Sequence, residues 1–477
     1  MLYFNCIIGI ITIYLIGYSI IRLIYGFNKI DKVELFTLSF IYGCGFLSLQ
    51  MMIYSWIKIP FYPQNLLIIW LPIVIIAIVM QTIIILKNNQ REKKNKNSTF
   101  KTNHLKIPFR FTTLLFIILF LLILYSFTII LTTAPVGWDA YAIYFPKAQT
   151  FYRDGNIESL KTNIYGNIIH PVYPNLYPLI ETYLYYFMGS NNERVVSLIF
   201  PLIYSVTLIL LIRLLKHLIG LTLSILTSIL IGSLPVTLNY FTAMHGGYMD
   251  MPLAFTTAIG IAYGLLWLKE KKDIYLIFFI LIMGCVAWTK NEGIPISLIW
   301  VGLFSIVLLS SPINLKRKLI LCCILLISYS FFTLPWFFYK KILNITLPNI
   351  EPYLKISVFI SKLSNIKRIT EYVWEMLRTS GGFMGIWILF LLCTVFNIKK
   401  LYKMPYILLI IGLSCWVVTY FVILIIINNP LEWQLDTSAN RLVFHFIPTL
   451  IIFISLCLKD IWDRYKSIEQ NAEFKNL

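Results

Sequence analysis

Uninterrupted apolar runs of about 20 residues recur from one end of this chain to the other. At about 1.5 Å of helical rise per residue, each is long enough to cross a hydrocarbon core about 30 Å thick. In lipid only helices and closed barrels satisfy their own backbone groups. Barrel strands alternate apolar and polar residues, whereas these runs are continuous. The expected fold class is therefore an all-α polytopic membrane protein. Composition agrees, with 59% hydrophobic and 13% charged residues among 477, and a mean hydropathy of +0.79. A soluble domain carries roughly 25% charged residues. The first run, Leu2–Ile21, has no basic stretch before it and no small-residue cleavage site after it, so it reads as a retained helix. The eight cysteines all lie inside apolar runs without metal-ligand spacing, and read as small core residues.

The net charge of +19 has a distribution that argues against nucleic acid. Much of the basic charge sits in short connectors between apolar runs, which is how orientation in a membrane is set. The segment Lys87–Arg110 carries eight Lys and Arg against Glu92 and is expected to be a cytoplasmic loop. Threading outward from it gives about thirteen spans. They are Leu2–Ile21, Val33–Trp56, Asn65–Leu86, Phe111–Leu131, Val195–Leu215, Leu221–Tyr240 and Pro252–Leu268, then Ile274–Trp288, Ile294–Leu309, Leu319–Phe338, Phe383–Phe396, Met404–Ile427 and Leu442–Leu458. The N-terminus falls outside and a polar tail, 459–477, inside. The expected organisation is three N-terminal helices in 1–86, the basic loop 87–110 and a larger membrane module in 111–458. The exception to the basic-inside pattern is Lys340–Ser380, an external stretch with seven Lys and Arg against three Glu. Either one span is miscounted or this loop needs positive charge, for instance to meet an anionic lipid, and we favour the second.

The longest early break runs from Thr132 to about Asn192. Tyr141, Tyr144, Phe145, Ala148, Phe151 and Tyr152 recur there at helical spacing, predicting a short aromatic helix on the membrane surface that ends at Asp154-Gly155. His170 to Pro178 is too proline-rich for a buried helix, and Leu179–Met188 is too short to span, so it reads as interfacial or re-entrant. In this threading Asp139, Lys147, His170, Glu181, His245, Asp250, Lys290, Glu292, Glu432, Asp436 and Arg441 all fall near the outer ends of spans. Charges are much cheaper there than at mid-membrane, where insertion costs about 2.5–3.5 kcal/mol each. Asp139, placed where a helix leaves hydrocarbon, meets both water and headgroups, and is the first candidate for chemistry.

Several of these stretches together resemble one family. They are Gly137-Trp138-Asp139, the aromatic helix, His170-Pro171 with Pro174 and Pro178, and Asn192-Glu193-Arg194-Val195-Val196-Ser197-Leu198. Pro235, His245 through Tyr248-Met249-Asp250-Met251-Pro252, Trp288-Thr289-Lys290-Asn291-Glu292-Gly293, and Arg441-Leu442-Val443-Phe444-His445-Phe446-Ile447-Pro448 follow in order. Over about Phe111 to Leu458 the chain resembles the GT-C glycosyltransferases, which include the protein O-mannosyltransferases and the lipid A aminoarabinose transferase. Two departures stand out. Ala140 follows Asp139 where the mannosyltransferases have a second acid, and Asp250 stands alone where the oligosaccharyltransferase branch has paired acids. The three spans before Phe111 match no part of the family.

The resemblance implies an inverting transfer of a sugar from a polyprenyl-phosphate carrier to a lipid, glycan or protein acceptor at the external face, with Asp139 as general base. The Ile, Lys and Asn richness suggests an AT-rich bacterial genome, which would make the carrier undecaprenyl phosphate and the location the plasma (inner) membrane. The leaving phosphate is anionic from the start and calls for fixed cations, for which Lys290 and Arg441, with Lys147 behind them, are the candidates. Asp250, His170, His245, Glu292, Tyr141 and Tyr144 are candidates to hold sugar or acceptor. No metal ligand is assigned, and a divalent metal stays open. Two rival readings share lipid-linked substrates: a flippase or transporter of lipid-linked glycans, and a polytopic glycan polymerase or ligase. A transporter calls for ionisable groups at mid-membrane, and the spans have few.

Overall fold

The computed structural model describes residues 1–26, 30–94, 109–162, 170–242, 246–345, 355–379 and 383–475. All regular structure among them is helical. Ten helices are long and apolar enough to cross a membrane, or eleven if Asn365–Thr379 and Phe383–Phe396 count as one broken span. The protein is thus an all-α, multi-pass membrane protein.

Two of the thirteen expected runs form shorter helices. Leu221–Ser233 has 13 residues and Asp273–Thr289 has 17, covering about 20 and 25 Å of a core about 30 Å thick. Pro235 stops the first, because the residue before a proline is pushed out of helical geometry, and Leu234 is extended at ψ 135°. The second stops at Lys290, also extended at φ −156° and ψ 160°. The stretch read as a polar tail is helical, continuing the helix Asn440–Lys475. Most of the basic loop, 95–108, lies outside the described residues.

Burial separates a centre from a periphery. Within their most apolar windows, Asp250–Glu270 is 94% buried, Leu431–Gln470 89%, and Lys32–Trp56 and Glu193–Ile219 each 83%. Pro63–Ile84, at 11%, presents Ile68, Leu71 and Ile76 outward, as a lipid-facing helix does. Asp250–Glu270 packs on Asp273–Thr289, Ile199–Ile219 and Asn440–Lys475, and so forms the axis of the bundle.

The N-terminal helices are part of this centre. Tyr263 donates to Glu34 at 3.0 Å, Trp288 to Ser48 at 2.9 Å, and Tyr42 to the Phe278 carbonyl at 3.3 Å. The first two helices, Leu2–Tyr25 and Lys32–Trp56, cross at backbone contact. A Cβ at Gly17 would lie 1.7 Å from the Ser39 carbonyl oxygen, and one at Gly43 2.0 Å from that of Ile13. Small residues permit such approaches where lipid supplies no hydrophobic drive for association. Gly43→Ala should therefore push the helices apart and destabilise the protein by about 1–3 kcal/mol or more. Thermal unfolding in detergent should show a lower midpoint for Gly43→Ala and no change for Gly302→Ala, where an added Cβ meets open space.

The aromatic helix forms over Phe145–Asp154 and ends, as expected, at Gly155, whose φ of 68° favours glycine. Its apolar face is covered by protein. Tyr144, Phe145, Ala148 and Phe151 are all fully buried, and the helix packs on Leu176–Met188. That helix, read from sequence as interfacial or re-entrant, has 11 of its 13 residues buried. Thr182 ties the two together by donating to the Ala148 carbonyl at 3.1 Å. Pairing one amphipathic face with another explains the difference, since neither helix then needs the headgroup layer to cover its apolar side.

Candidate functional site: a buried ion-pair cluster

Four chain segments bring their charged residues together where helices end. Asp139 follows the helix Phe109–Thr132 and precedes a π-helical turn, Ala140–Tyr144. Asp250 opens Asp250–Glu270. Lys290 and Glu292 occupy the turn before Gly293–Ser310. Arg441 follows a second π-helical turn, Leu435–Ala439. Single π turns inside α-helical runs recur at functional sites, and here one stands beside each end of the Asp139–Arg441 pair. Gly293 sets the third segment, since a Cβ there would come within 2.0 Å of the Val286 carbonyl oxygen.

Asp250, fully buried, is the hub. One carboxylate oxygen accepts from Lys290 Nζ at 2.9 Å and His445 Nε2 at 2.7 Å. The other accepts from Arg441 Nε at 3.1 Å and Nη2 at 2.8 Å. Arg441 also donates to both carboxylate oxygens of Asp139, through Nη1 at 3.3 Å and through Nη2. Lys290 pairs in addition with Glu292 at 3.2 Å. Burial and the neighbouring Arg441 charge oppose the Lys290 ammonium, yet the carboxylates of Asp250, Glu292 and Asp139 outweigh them and raise its pKa. The imidazole of His445 reaches Tyr420 through Nδ1 at 2.6 Å. Arg441 lies over the Tyr248 ring, 4.6 Å from its centroid.

Among the described residues the cluster sets three carboxylates against two fixed cations and His445. Two polar atoms in it keep unused capacity. The Tyr144 hydroxyl is buried without a hydrogen-bond partner, as is Glu292 Oε2. Burial, followed by the nearby Asp139 carboxylate, raises the Tyr144 pKa and keeps its proton in place. Beside the cluster stands an open lip. Trp138 is 52% exposed and Tyr141 73%, while Asp139 itself is 4% exposed. His170 stacks on Tyr173 at 5.1 Å and meets Trp138 edge-on at 6.3 Å, and burial draws its pKa down.

Of the predicted site residues, Asp139, Asp250, Lys290, Glu292 and Arg441 join one network, and Tyr144 borders it. Lys147 pairs with no acid among the described residues. It is fully buried, donating to the Tyr173 carbonyl at 3.1 Å and to Asn175 at 3.4 Å, and burial pulls its pKa down to about 7. Glu432 and Asp436 turn instead to the helix Asn365–Thr379, binding Arg368 and Tyr372. Glu181 is fully buried, and neither of its oxygens has a partner among the described residues; burial raises its pKa well above the usual carboxylate range. His245 lies outside the described residues. Sequence reasoning gave no role to His445 or Tyr420. His445 was within reach of it, because it follows Arg441 by four residues and so shares its helix face. Tyr420 left no such signal.

Fold and site together define a multi-span helical membrane protein with a buried, hydrogen-bonded charge cluster where its helices end. No protein-family model matches the chain, and no curated protein or solved structure is detectably similar to it. Among the described residues no group of three or more His, Cys, Asp or Glu is arranged to hold a metal ion.

Proposed function

We propose that the chain is an integral-membrane glycosyltransferase of GT-C type. In this reading it moves a sugar from a polyprenyl-phosphate donor to a lipid, glycan or protein acceptor at the external face of the plasma membrane, with about thirteen spans in total. The observation that carries the proposal is the meeting of Asp139, Asp250, Lys290 and Arg441 in one buried network beside an exposed aromatic lip. Residues hundreds of positions apart converge where a lipid-anchored sugar, its tail in hydrocarbon and its head at the membrane surface, would present its anomeric carbon.

The chemistry is divided among named groups. Asp139 takes the proton of the acceptor as the new glycosidic bond forms and the bond from the anomeric carbon to the phosphate oxygen breaks. Arg441 and Lys290 stabilise the departing phosphate. In the resting site the Arg441 guanidinium bridges the two acids, its Nη2 donating to both Asp139 and Asp250. An incoming phosphate competes with Asp139 for that guanidinium, so donor binding itself frees the Asp139 carboxylate for the acceptor. Asp250 is a positioning residue: with its oxygens already bound to Lys290, His445 and Arg441, it aims those cations rather than touching sugar. The Tyr144 hydroxyl and Glu292 Oε2 remain to bind sugar hydroxyls, and Trp138 and Tyr141 to stack on a sugar face.

Donor preference tests the reading. Purified protein in proteoliposomes should transfer from a lipid-monophosphate sugar and leave lipid-diphosphate oligosaccharides untouched. Turnover of the diphosphate alone would point to a polymerase or ligase, and movement of a labelled lipid-linked glycan across the bilayer without transfer would point to a flippase.

A further inference from the structure

The opposite end of the bundle holds a second site. Asp250 and Lys269 lie near the two ends of one 21-residue helix, and Arg441 and Lys459 lie 18 residues apart on another. This second end is therefore about 27–30 Å from the ion-pair cluster. A cleft of about 320 Å³ opens there among the helices Ile199–Ile219, Asp250–Glu270 and Asn440–Lys475 and the turn at Met404-Pro405. Its walls are aliphatic, from Leu218, Leu265, Leu268, Met404 and Leu456, and its polar rim is Lys269, Lys459 and Asp460.

The rim charges are not equivalent. Asp460 is already satisfied within the wall, accepting from Tyr406 at 2.5 Å and pairing with Lys400 at 2.9 Å. Lys269 donates to the carbonyl of His217 and pairs with no carboxylate among the described residues. Among the described residues Lys459 pairs with the half-exposed Asp463 one turn along, a weak surface pair. The cleft therefore presents net positive charge over an aliphatic floor. One turn beyond Lys459, Trp462 and Tyr465 are exposed, stacked at 6.2 Å, with Lys466 over the Trp462 ring. Exposed Trp and Tyr mark the headgroup plane of a membrane, which puts the Lys269–Lys459 rim at headgroup depth.

We propose that this cleft binds an anionic glycerophospholipid, its phosphate between Lys269 and Lys459 and the start of an acyl chain along Leu218, Leu265 and Leu456. The volume sits at the low end for small-molecule sites, about 300–1,000 Å³. That suits a headgroup with its first methylenes and leaves the rest of the tails in the bilayer. Basic pockets between helix ends select anionic headgroups by the same physics. The proposal is independent of the glycosyltransferase reading, since it concerns other residues at the other end of the bundle.

The test is native mass spectrometry of the full chain in detergent, titrated with dioleoyl phosphatidylglycerol, with dioleoyl phosphatidylcholine, and with inorganic phosphate. Phosphatidylglycerol adducts should form at several-fold lower concentration than phosphatidylcholine adducts. Lys269→Gln with Lys459→Gln should bring the two lipids level while leaving the melting temperature unchanged. Met404→Trp, which fills the cleft from an exposed turn, should lower phosphatidylglycerol retention with both lysines intact. Equal binding of the two lipids by the wild type, or undiminished phosphatidylglycerol binding by both the double variant and Met404→Trp, would overturn the proposal. Displacement of phosphatidylglycerol by inorganic phosphate at equal concentration would also overturn it, by assigning the site to a free anion.

Discussion

Asp250→Asn should be among the most damaging single-atom-scale changes in the chain, with a loss of about 3–5 kcal/mol of stability. Removing one partner of a buried ion pair leaves its counter-charge stranded in low dielectric, and that is the usual size of the penalty. Here three donors lose their carboxylate at once, because Lys290, His445 and Arg441 all converge on Asp250. The asparagine would keep a single acceptor oxygen and would turn an amide NH₂ toward groups that themselves donate. Against a total stability of about 5–15 kcal/mol, the variant should reach the membrane at reduced levels and melt well below wild type in detergent. Asp250→Asn combined with Lys290→Met should recover part of the loss, since two absent partners leave less stranded charge than one. A single variant that melts with the wild type would mean that water screens the cluster, and the buried network would lose its role in stability.

Asp139→Asn should separate holding from chemistry. Its carboxylate pairs with Arg441, while Arg441 keeps its two contacts to Asp250. The stability cost should therefore stay near that of one charge-assisted hydrogen bond, about 2 kcal/mol. Sugar transfer should fall much further, by about 10²–10⁴-fold, the usual contribution of a general base. The measurement is the initial transfer rate in proteoliposomes with the donor that wild type accepts, beside the melting curve of the same preparation. Asp139→Glu, which keeps a carboxylate but lengthens the arm, should retain part of the rate. Near-wild-type transfer by a well-folded Asn variant would remove Asp139 from the reaction.

The charged members of this cluster were legible in the sequence for a simple reason. Asp139, Asp250, Lys290, Glu292 and Arg441 stand at the ends of apolar runs, where a charge is conspicuous against hydrocarbon on one side. Their pairing was not legible, because Arg441 meets Asp139 across 302 residues and Asp250 across 191, and no local period carries that information. Nor could spacing show that Lys290 and Arg441 come to the site already neutralised by carboxylates. Lys147 shows the opposite failure. Its charge suggested a wet outer surface, but the aromatic helix that carries it turned its whole apolar face, lysine stem included, into the bundle. The helix count diverged for a related reason. Hydropathy sees Leu221–Tyr240 as one run, whereas Pro235 divides it into Leu221–Ser233 and the short helix Pro235–Asn239.

The chain distance spanned by Arg441 also has a consequence in time. The acids at 139 and 250 are synthesised long before the arginine that neutralises them. At about 5–20 residues per second, the ribosome needs about 15–60 seconds to travel from Asp139 to Arg441 and about 10–40 seconds from Asp250. During that interval Asp139 and Asp250 belong to a nascent chain whose central helices have no counter-charge from the final one. Lys290 can reach Asp250 earlier, so it is Asp139 above all that waits for the helix carrying Arg441. The ion-pair cluster is completed only when the helix that carries Arg441 has been delivered to the membrane.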